Sequence, residues 1–130
     1  MINTIPIIEM ISVEKAREQS AKKYQQLVEE AYIFCCNKIN AEINNTSNNT
    51  GKCTARIYFY YTCKPLSLIA ENDVRDILSI IGNDLLNKGY MFMIKEEDTI
   101  YTEKAYKGMT TVLSQSPTMI LDINWNDQWK

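Results

Sequence analysis

The sequence predicts an α+β fold: a small mixed β-sheet of three to four strands, with two helices on one face and a long N-terminal helix. Three observations lead to this class. A helical apolar period runs over about residues 12–43, an alternating stretch marks a strand at 53–62, and a second helical period covers about 67–88. At 130 residues the chain fits one domain.

The strand at 53–62 is the clearest in the chain, and its two faces differ in chemistry because successive side chains point opposite ways. One face is mostly apolar and is predicted to meet the helices. It consists of Cys53, Ala55, Ile57, Phe59 and Tyr61. The other face places one guanidinium beside two phenols, with Arg56, Tyr58 and Tyr60 flanked by two threonines.

Residues 1–11 precede the first helix and are mostly apolar, with Pro6 in their middle, which favours an extended arm. Ile5, Ile7 and Ile8 would be unusual as exposed side chains on a lone monomer. We expect the arm either to pack along its own domain or to reach a neighbouring chain. The predicted organisation is therefore an arm at 1–11 and a single α+β domain at 12–130.

The first helix is predicted to begin at Ser12, which can act as the N-cap, and to continue to about Ile43. A helix of about 30 residues is about 45 Å long, whereas a domain of this size has a radius of gyration of about 14 Å. Unless it breaks into two helices, we expect it to overhang its own domain, with one end available to a partner. The asparagine-rich stretch at 44–51 is predicted to be a loop.

The second helix is predicted to end at Lys88-Gly89, because glycine readily turns left-handed there. Strands follow at 90–95 and 118–125, with 96–98 as an acidic turn and 99–102 as a short return strand. A strand, a helix and a strand in succession favour a right-handed parallel relationship. The last strand would then lie between the first two or at an edge.

Composition excludes several classes of function. The chain has no histidine, so Ser-His-Asp, Cys-His and HExxH schemes are absent. Its net charge of −2 gives no general attraction for phosphate, which makes nucleic-acid binding an unfavoured function. The four cysteines lack a CxxC spacing and are expected to be reduced, and we predict no metal, no cofactor and no enzymatic activity.

No targeting or membrane-spanning segment is recognisable. Glu9 interrupts the apolar N-terminal run, which lacks a basic beginning, and no stretch approaches about 20 apolar residues. We expect an intracellular protein.

The Arg56, Tyr58, Tyr60 face has three interpretations. Sheets that stack nucleic-acid bases on aromatic side chains look similar, but they lie in basic surroundings, and this chain is acidic. A plain cross-strand ladder is the second. A protein–protein contact is favoured, since tyrosine and arginine are enriched at interface hot spots.

The layout resembles that of small tailed-bacteriophage proteins, mostly uncharacterised, over about residues 12–126. The features that carry this resemblance are the Glu/Lys/Gln-rich first helix, the strand 56–60, Lys88-Gly89-Tyr90 and the final 122–125. The resemblance implies a phage protein, in the host cytoplasm or the virion, and assigns no catalytic residue.

Two functions are therefore expected. The first is a non-enzymatic interaction component, such as a structural or accessory protein of a phage particle, which contacts itself or other subunits. Its contact residues would be Ile5, Ile7, Ile8, Arg56, Tyr58 and Tyr60. The alternative is a protein that sequesters a small ligand, such as a host signalling nucleotide, beside Arg56 and the tyrosines.

Overall fold

The computed structural model describes the backbone of residues 7–104 and 110–126, and the side chains of 7–97 and 118–126. It contains two helices and three long strands, which confirms the α+β class. The elements are α1 (Val13–Asn49), β1 (Thr54–Tyr60), a short 3-10 helix (Leu66–Leu68), α2 (Glu71–Asn87), β2 (Met91–Lys104) and β3 (Thr110–Asn124).

The sheet has three strands in the order β1-β3-β2, and both pairings are antiparallel. The mixed sheet expected from the sequence is therefore replaced by an antiparallel one. β1 and β2 do run in the same direction, as a strand–helix–strand unit favours, but they are not neighbours. β3 lies between them and pairs with both, which is the insertion considered above.

β2 and β3 form a long hairpin, in which Met91 pairs with Asn124 and Lys104 pairs with Thr110. The predicted acidic turn at 96–98 is wrong, because these residues lie within β2, and 99–102 continue the same strand. Cross-strand pairing with β3 outweighs the weak β-propensity of the acids. Since β1 pairs only with Thr118–Asn124, the outer part of the hairpin extends beyond β1.

Helix α1 is 37 residues long, about 55 Å, and begins as predicted after Ser12, whose hydroxyl accepts a hydrogen bond from the Lys15 amide at 3.2 Å. The predicted loop at 44–51 is wrong over most of its length, since the helix continues to Asn49. Side chains there bond within the helix: Asn49 Nδ2 donates to Asn45 Oδ1 at 2.5 Å, and Thr50 Oγ1 donates to the Thr46 carbonyl at 2.7 Å.

Helix α2 packs its predicted apolar face into the core. The buried residues are Val74, Ile77, Leu78, Ile81, Gly82 and Leu85. The helix ends after Asn87, and Gly89 has a positive φ of 96°, as expected for the residue that turns the chain. The Tyr90 amide then bonds back to the Leu85 carbonyl at 2.9 Å, which directs the chain into β2.

One hydrophobic core joins both helices to one face of the sheet. Ala31, Cys35 and Ile39 of α1 and the buried face of α2 cluster with Ile57 and Phe59 of β1. Met119, Leu121 and Ile123 of β3 complete this cluster. Two helices thus cover one face, and the opposite face carries the alternate residues of each strand. Among the described helices, none is long and apolar enough to cross a membrane.

Candidate interaction surfaces

The sheet face opposite the helices carries the residues singled out from the sequence. Register places Arg56, Asp122 and Met93 in one row across β1, β3 and β2, and Tyr58, Ile120 and Lys95 in the next. We call this surface the open sheet face. Arg56, Tyr58 and Tyr60 therefore share one face, because β1 is a regular strand with a period of two.

An ion-pair cluster lies at the centre of the open sheet face. Arg56 Nε and Nη2 donate to the two carboxylate oxygens of Asp122 at 2.7 and 3.1 Å, and Lys95 Nζ lies 3.6 Å from the same carboxylate. Hydrogen bonds from Arg56 hold the pKa of Asp122 below its ordinary value of 3.8. The same bonds to Asp122 raise the pKa of Arg56. Two cations on one acid leave the cluster with a net positive charge.

The two tyrosines of β1 form a stacked pair beside this cluster, with ring centroids 6.3 Å apart and an interplanar angle of 13°. Tyr58 is exposed and Tyr60 half-buried. Ile120 lies on the same face, between Tyr58 and Lys95, yet it is only 1% exposed. Part of the open sheet face is therefore covered by side chains.

Two methionines complete the open sheet face, and sequence reasoning did not place them there. Met91 and Met93 are exposed on β2 beside the ion-pair cluster. They border a shallow depression of about 530 Å³, whose other lining residues include Arg56, Lys95 and Asp122. The alternation of Met91, Met93 and Lys95 with Phe92 and Ile94 was the available signal, since alternate residues share a face.

Lys38 of α1 holds the outer edge of β1 beneath the tyrosines. Its Nζ donates to the Tyr58 carbonyl at 2.6 Å and lies 5.2 Å from the ring centre of Phe59. It also lies 5.9 Å from the ring centres of Phe34 and Tyr60. The sequence did not predict this contact, because it depends on how α1 packs against β1.

The apolar side chains in the described part of the N-terminal arm, residues 7–11, are not covered by the rest of the domain. Ile7 is 100% exposed and Ile8 73% exposed, and Met10, Ile11 and Val13 are exposed as well. Of the two expectations for the arm, packing along its own domain is therefore wrong for residues 7–11. Ile5 lies outside the described residues.

The first half of α1 overhangs the domain, as its length predicted. Between Val13 and Gln26 every side chain is exposed except that of Ala16, which is half-buried. Tyr24 makes the outermost described contact with the body: its hydroxyl accepts a hydrogen bond from the Ala70 amide at 3.0 Å and donates to Asp73. This contact joins α1 to the start of α2.

An apolar groove lies between α1 and α2 on the outer surface of the helical layer, with a volume of about 350 Å³. It is lined by Gln25, Val28, Glu29, Tyr32, Ile33, Ile77 and Ile80. Ile33 is 57% exposed and Ile80 58% exposed. The groove was not predicted from the sequence, because local patterns do not place two helices side by side.

No group of three metal-ligating side chains occurs among the described residues, and the four cysteines, which all lie among them, are free thiols. No protein-family model, curated protein or solved structure matches this chain.

Proposed function

We propose that this protein is a non-enzymatic interaction component, a small structural or accessory subunit of a larger protein assembly such as a bacteriophage particle. The observation that carries the proposal is the exposed apolar arm, in which Ile7 and Ile8 are 100% and 73% exposed. Covering one aliphatic side chain of this size is worth about 1.5–3 kcal/mol. A partner that covers the arm would gain this free energy several times over.

The overhang of α1 supports the same function. A helix that leaves its own domain for about three turns, with nearly every side chain exposed, gains little from its own core. Because this part of α1 directly follows the arm, residues 7–23 form one continuous projecting element that ends at the Tyr24 contact. Such an element suits a contact with a neighbouring subunit.

The open sheet face supports a second contact on the opposite side of the molecule. Its centre combines the Tyr58–Tyr60 stack, the Arg56–Asp122 pair and two exposed methionines. Tyrosine, methionine and arginine are the residue types enriched in protein interfaces. Two separate contact surfaces are what a subunit inside an assembly requires.

The proposal is tested by measuring mass and partners together. Sedimentation equilibrium gives the oligomeric state, and co-purification from cells that make the complete assembly gives the partners. The variants are one lacking residues 1–11 and the double variant Tyr58→Ala/Tyr60→Ala. We expect each variant to lose self-association or a partner. A strictly monomeric protein whose variants keep every partner would refute the proposal.

A ligand-sequestering function is the second candidate, favoured by the depression of about 530 Å³ on the open sheet face. Arg56 and Lys95 supply positive charge there, and Met91 and Met93 supply an apolar wall, which together suit an anionic aromatic molecule such as a nucleotide. Asp122 already engages both cations, so a ligand would have to share them.

Thermal denaturation in the presence of nucleotides distinguishes this candidate, because a ligand that binds only the folded state raises the Tm. Ultraviolet spectra of small molecules released by denaturing the purified protein provide a second measurement. Arg56→Gln should abolish a nucleotide-dependent shift. An unchanged Tm with every nucleotide and an empty released fraction would exclude sequestration.

A further inference from the structure

The chain exposes an apolar segment and an apolar groove at the same time, and neither fills the other within one molecule. The segment is the arm at residues 7–11, and the groove is the one between α1 and α2. Ile7 is 100% exposed, so the arm lies away from its own groove. The occupant that each surface lacks is therefore present on every other copy of the chain.

We propose that residues 7–11 of one copy dock in the groove between α1 and α2 of a second copy. This inference rests on the proposed function as an interaction component and names the partner of the arm. The apolar side chains Ile7, Ile8 and Ile11 would cover Ile33 and Ile80 of the second copy. Both sets are exposed in the single chain.

Distances along α1 favour a second copy over the arm's own chain. The arm joins α1 at Ser12, and the groove begins at Gln25, about 20 Å farther along the helix. To fill its own groove, the arm would have to reverse direction at Ser12. That residue has the extended φ of −70° and ψ of 155° of an N-cap, and its hydroxyl bonds the Lys15 amide.

The arm is long enough to span the groove. Five extended residues span about 17 Å, and α1 rises about 12 Å between Gln25 and Ile33. The arm can therefore lie along the whole groove. The following helical turns of the same copy would then continue past the groove and onto the neighbouring surface of α2.

Charge complementarity supports this placement. Residues 13–23, which form the overhang, carry four cations and two acids, whereas α2 carries four acids and one cation. The α2 cation, Arg75, already bonds Glu96 at 2.7 Å. Glu29 lines the groove, and Asp73 and Asp76 lie on α2 within about one helical turn of Ile77, which also lines it. A basic overhang from a second copy would meet this acidic surface.

Exchange of arms between two copies gives a closed, two-fold symmetric dimer, because each chain donates one arm and offers one groove. Both arms and both overhangs then contribute to one continuous interface. Stable interfaces bury about 1,200 Å² or more in total, which a single arm of five residues would not reach alone. The overhang is thus a required part of the contact.

The test pairs two variants in which the altered residues are exposed, so that the core is unaffected. The arm variant is Ile7→Asp/Ile8→Asp, and the groove variant is Ile33→Asp/Ile80→Asp. Leu68→Asp, at an exposed side chain of the short 3-10 helix that lines neither the groove nor the open sheet face, is the matched control. Circular dichroism and Tm establish that each is folded. Sedimentation equilibrium then measures self-association of each protein alone and of the arm and groove variants mixed.

We expect the wild type and the control to dimerise, and each of the two variants alone to lose roughly tenfold or more in affinity. Mixed in equal amounts, they should form a heterodimer, because one intact arm still meets one intact groove. High salt should weaken the wild-type dimer through the charges of the overhang.

The outcomes separate this inference from the proposed function. A dimer that the arm variant disrupts but the groove variant does not would overturn the docking site and leave an interaction component. A monomeric wild type that uses its arm to bind a different subunit would do the same. A monomer in which both variants keep every partner would overturn both proposals.

Discussion

Arg56 and Asp122 face each other across the β1–β3 pairing and form a two-point ion pair, although they are 66 residues apart in the sequence. The pair lies on the open sheet face, where both side chains remain accessible to solvent. Because the guanidinium and the carboxylate are planar, two parallel hydrogen bonds fix the position of each. Arg56 is thereby held beside Tyr58 in one orientation.

The loss of folding stability at low pH should depend in part on the Arg56–Asp122 pair. The pKa of Asp122 is lowered by its hydrogen bonds from Arg56. Its contribution is therefore complete above its unfolded pKa and is lost as the pH falls through the folded pKa. We expect Asp122→Asn to lower the free energy of unfolding at pH 7, with the difference from wild type shrinking below about pH 4.

Urea denaturation at several pH values measures this. Replacing the other residue of the ion pair provides the control, since Arg56→Gln should show the same pH dependence as Asp122→Asn. A difference between wild type and Asp122→Asn that stays constant down to pH 2 would contradict the assignment.

The loss of folding stability at high pH should depend in part on Tyr61. Its side chain is buried, and its hydroxyl donates a hydrogen bond to Glu96 Oε1 at 3.4 Å. Burial, together with the nearby charge of Glu96, raises the pKa of Tyr61 to about 12 from its ordinary value of 10.0. The stability from the neutral phenol is complete below pH 10 and is lost as the pH rises through 12. Tyr61→Phe should therefore show a shallower loss of stability over this range, measured by chemical denaturation at several pH values, and an equally steep loss in this variant would contradict the assignment.

Gly82 of α2 lies directly beneath the ring of Phe92, and a β-carbon at this position would come 2.4 Å from that ring. Alanine is the better helix former by about 1 kcal/mol, but overpacking typically costs about 1–3 kcal/mol. We expect Gly82→Ala to destabilise the protein by about 1 kcal/mol. In a Phe92→Leu background the sign should reverse, because the ring is gone. Chemical denaturation of the four proteins of this cycle measures both effects, and destabilisation in both backgrounds would contradict the contact.

The sequence predicts those parts of the structure in which local patterns agree with the packing. The residues on the core face of β1 and the presence of an apolar helical period in α2 were predicted, because alternation and helical period reflect burial directly. The asparagine tract failed because its side chains bond within the helix, as Asn49 does to Asn45. A local composition that usually ends a helix here extends it.

The candidate surfaces were also predicted only in part from the sequence. Arg56, Tyr58 and Tyr60 were assigned to one face from strand alternation alone, and the structure places them there. Asp122 alternates with the apolar Leu121 and Ile123, but its pairing with Arg56 depends on the register between β1 and β3, which no local pattern reveals. The groove also needs two helices to be placed side by side. Long-range register and helix packing are the information that one sequence lacks.

Cysteine reactivity should separate the buried from the exposed thiols. Cys35 is fully buried, and burial raises its pKa to about 12, whereas Cys63 is exposed. Since the thiolate is the reactive form, a disulfide reagent at neutral pH should modify Cys63 quickly and Cys35 only as fast as the protein unfolds. Mass spectrometry of digested samples at successive times identifies each site. The variant Cys63→Ser should lose the fast phase, and rapid labelling of Cys35 in the folded protein would contradict its burial.

Lys38 should stabilise the junction between α1 and β1 through its charge. Its ammonium donates to the Tyr58 carbonyl at 2.6 Å and lies over the Phe59 ring at 5.2 Å. Lys38→Met keeps the length of the aliphatic chain but removes the donor and the charge, leaving an edge carbonyl of β1 without this partner. A hydrogen bond from a charged donor and a cation–π contact together suggest a loss of about 2 kcal/mol in the free energy of unfolding. Lys52→Met, at an exposed lysine before β1, is the matched control and should be neutral. Equal stability of the two methionine variants in chemical denaturation would show that the Lys38 contacts contribute nothing.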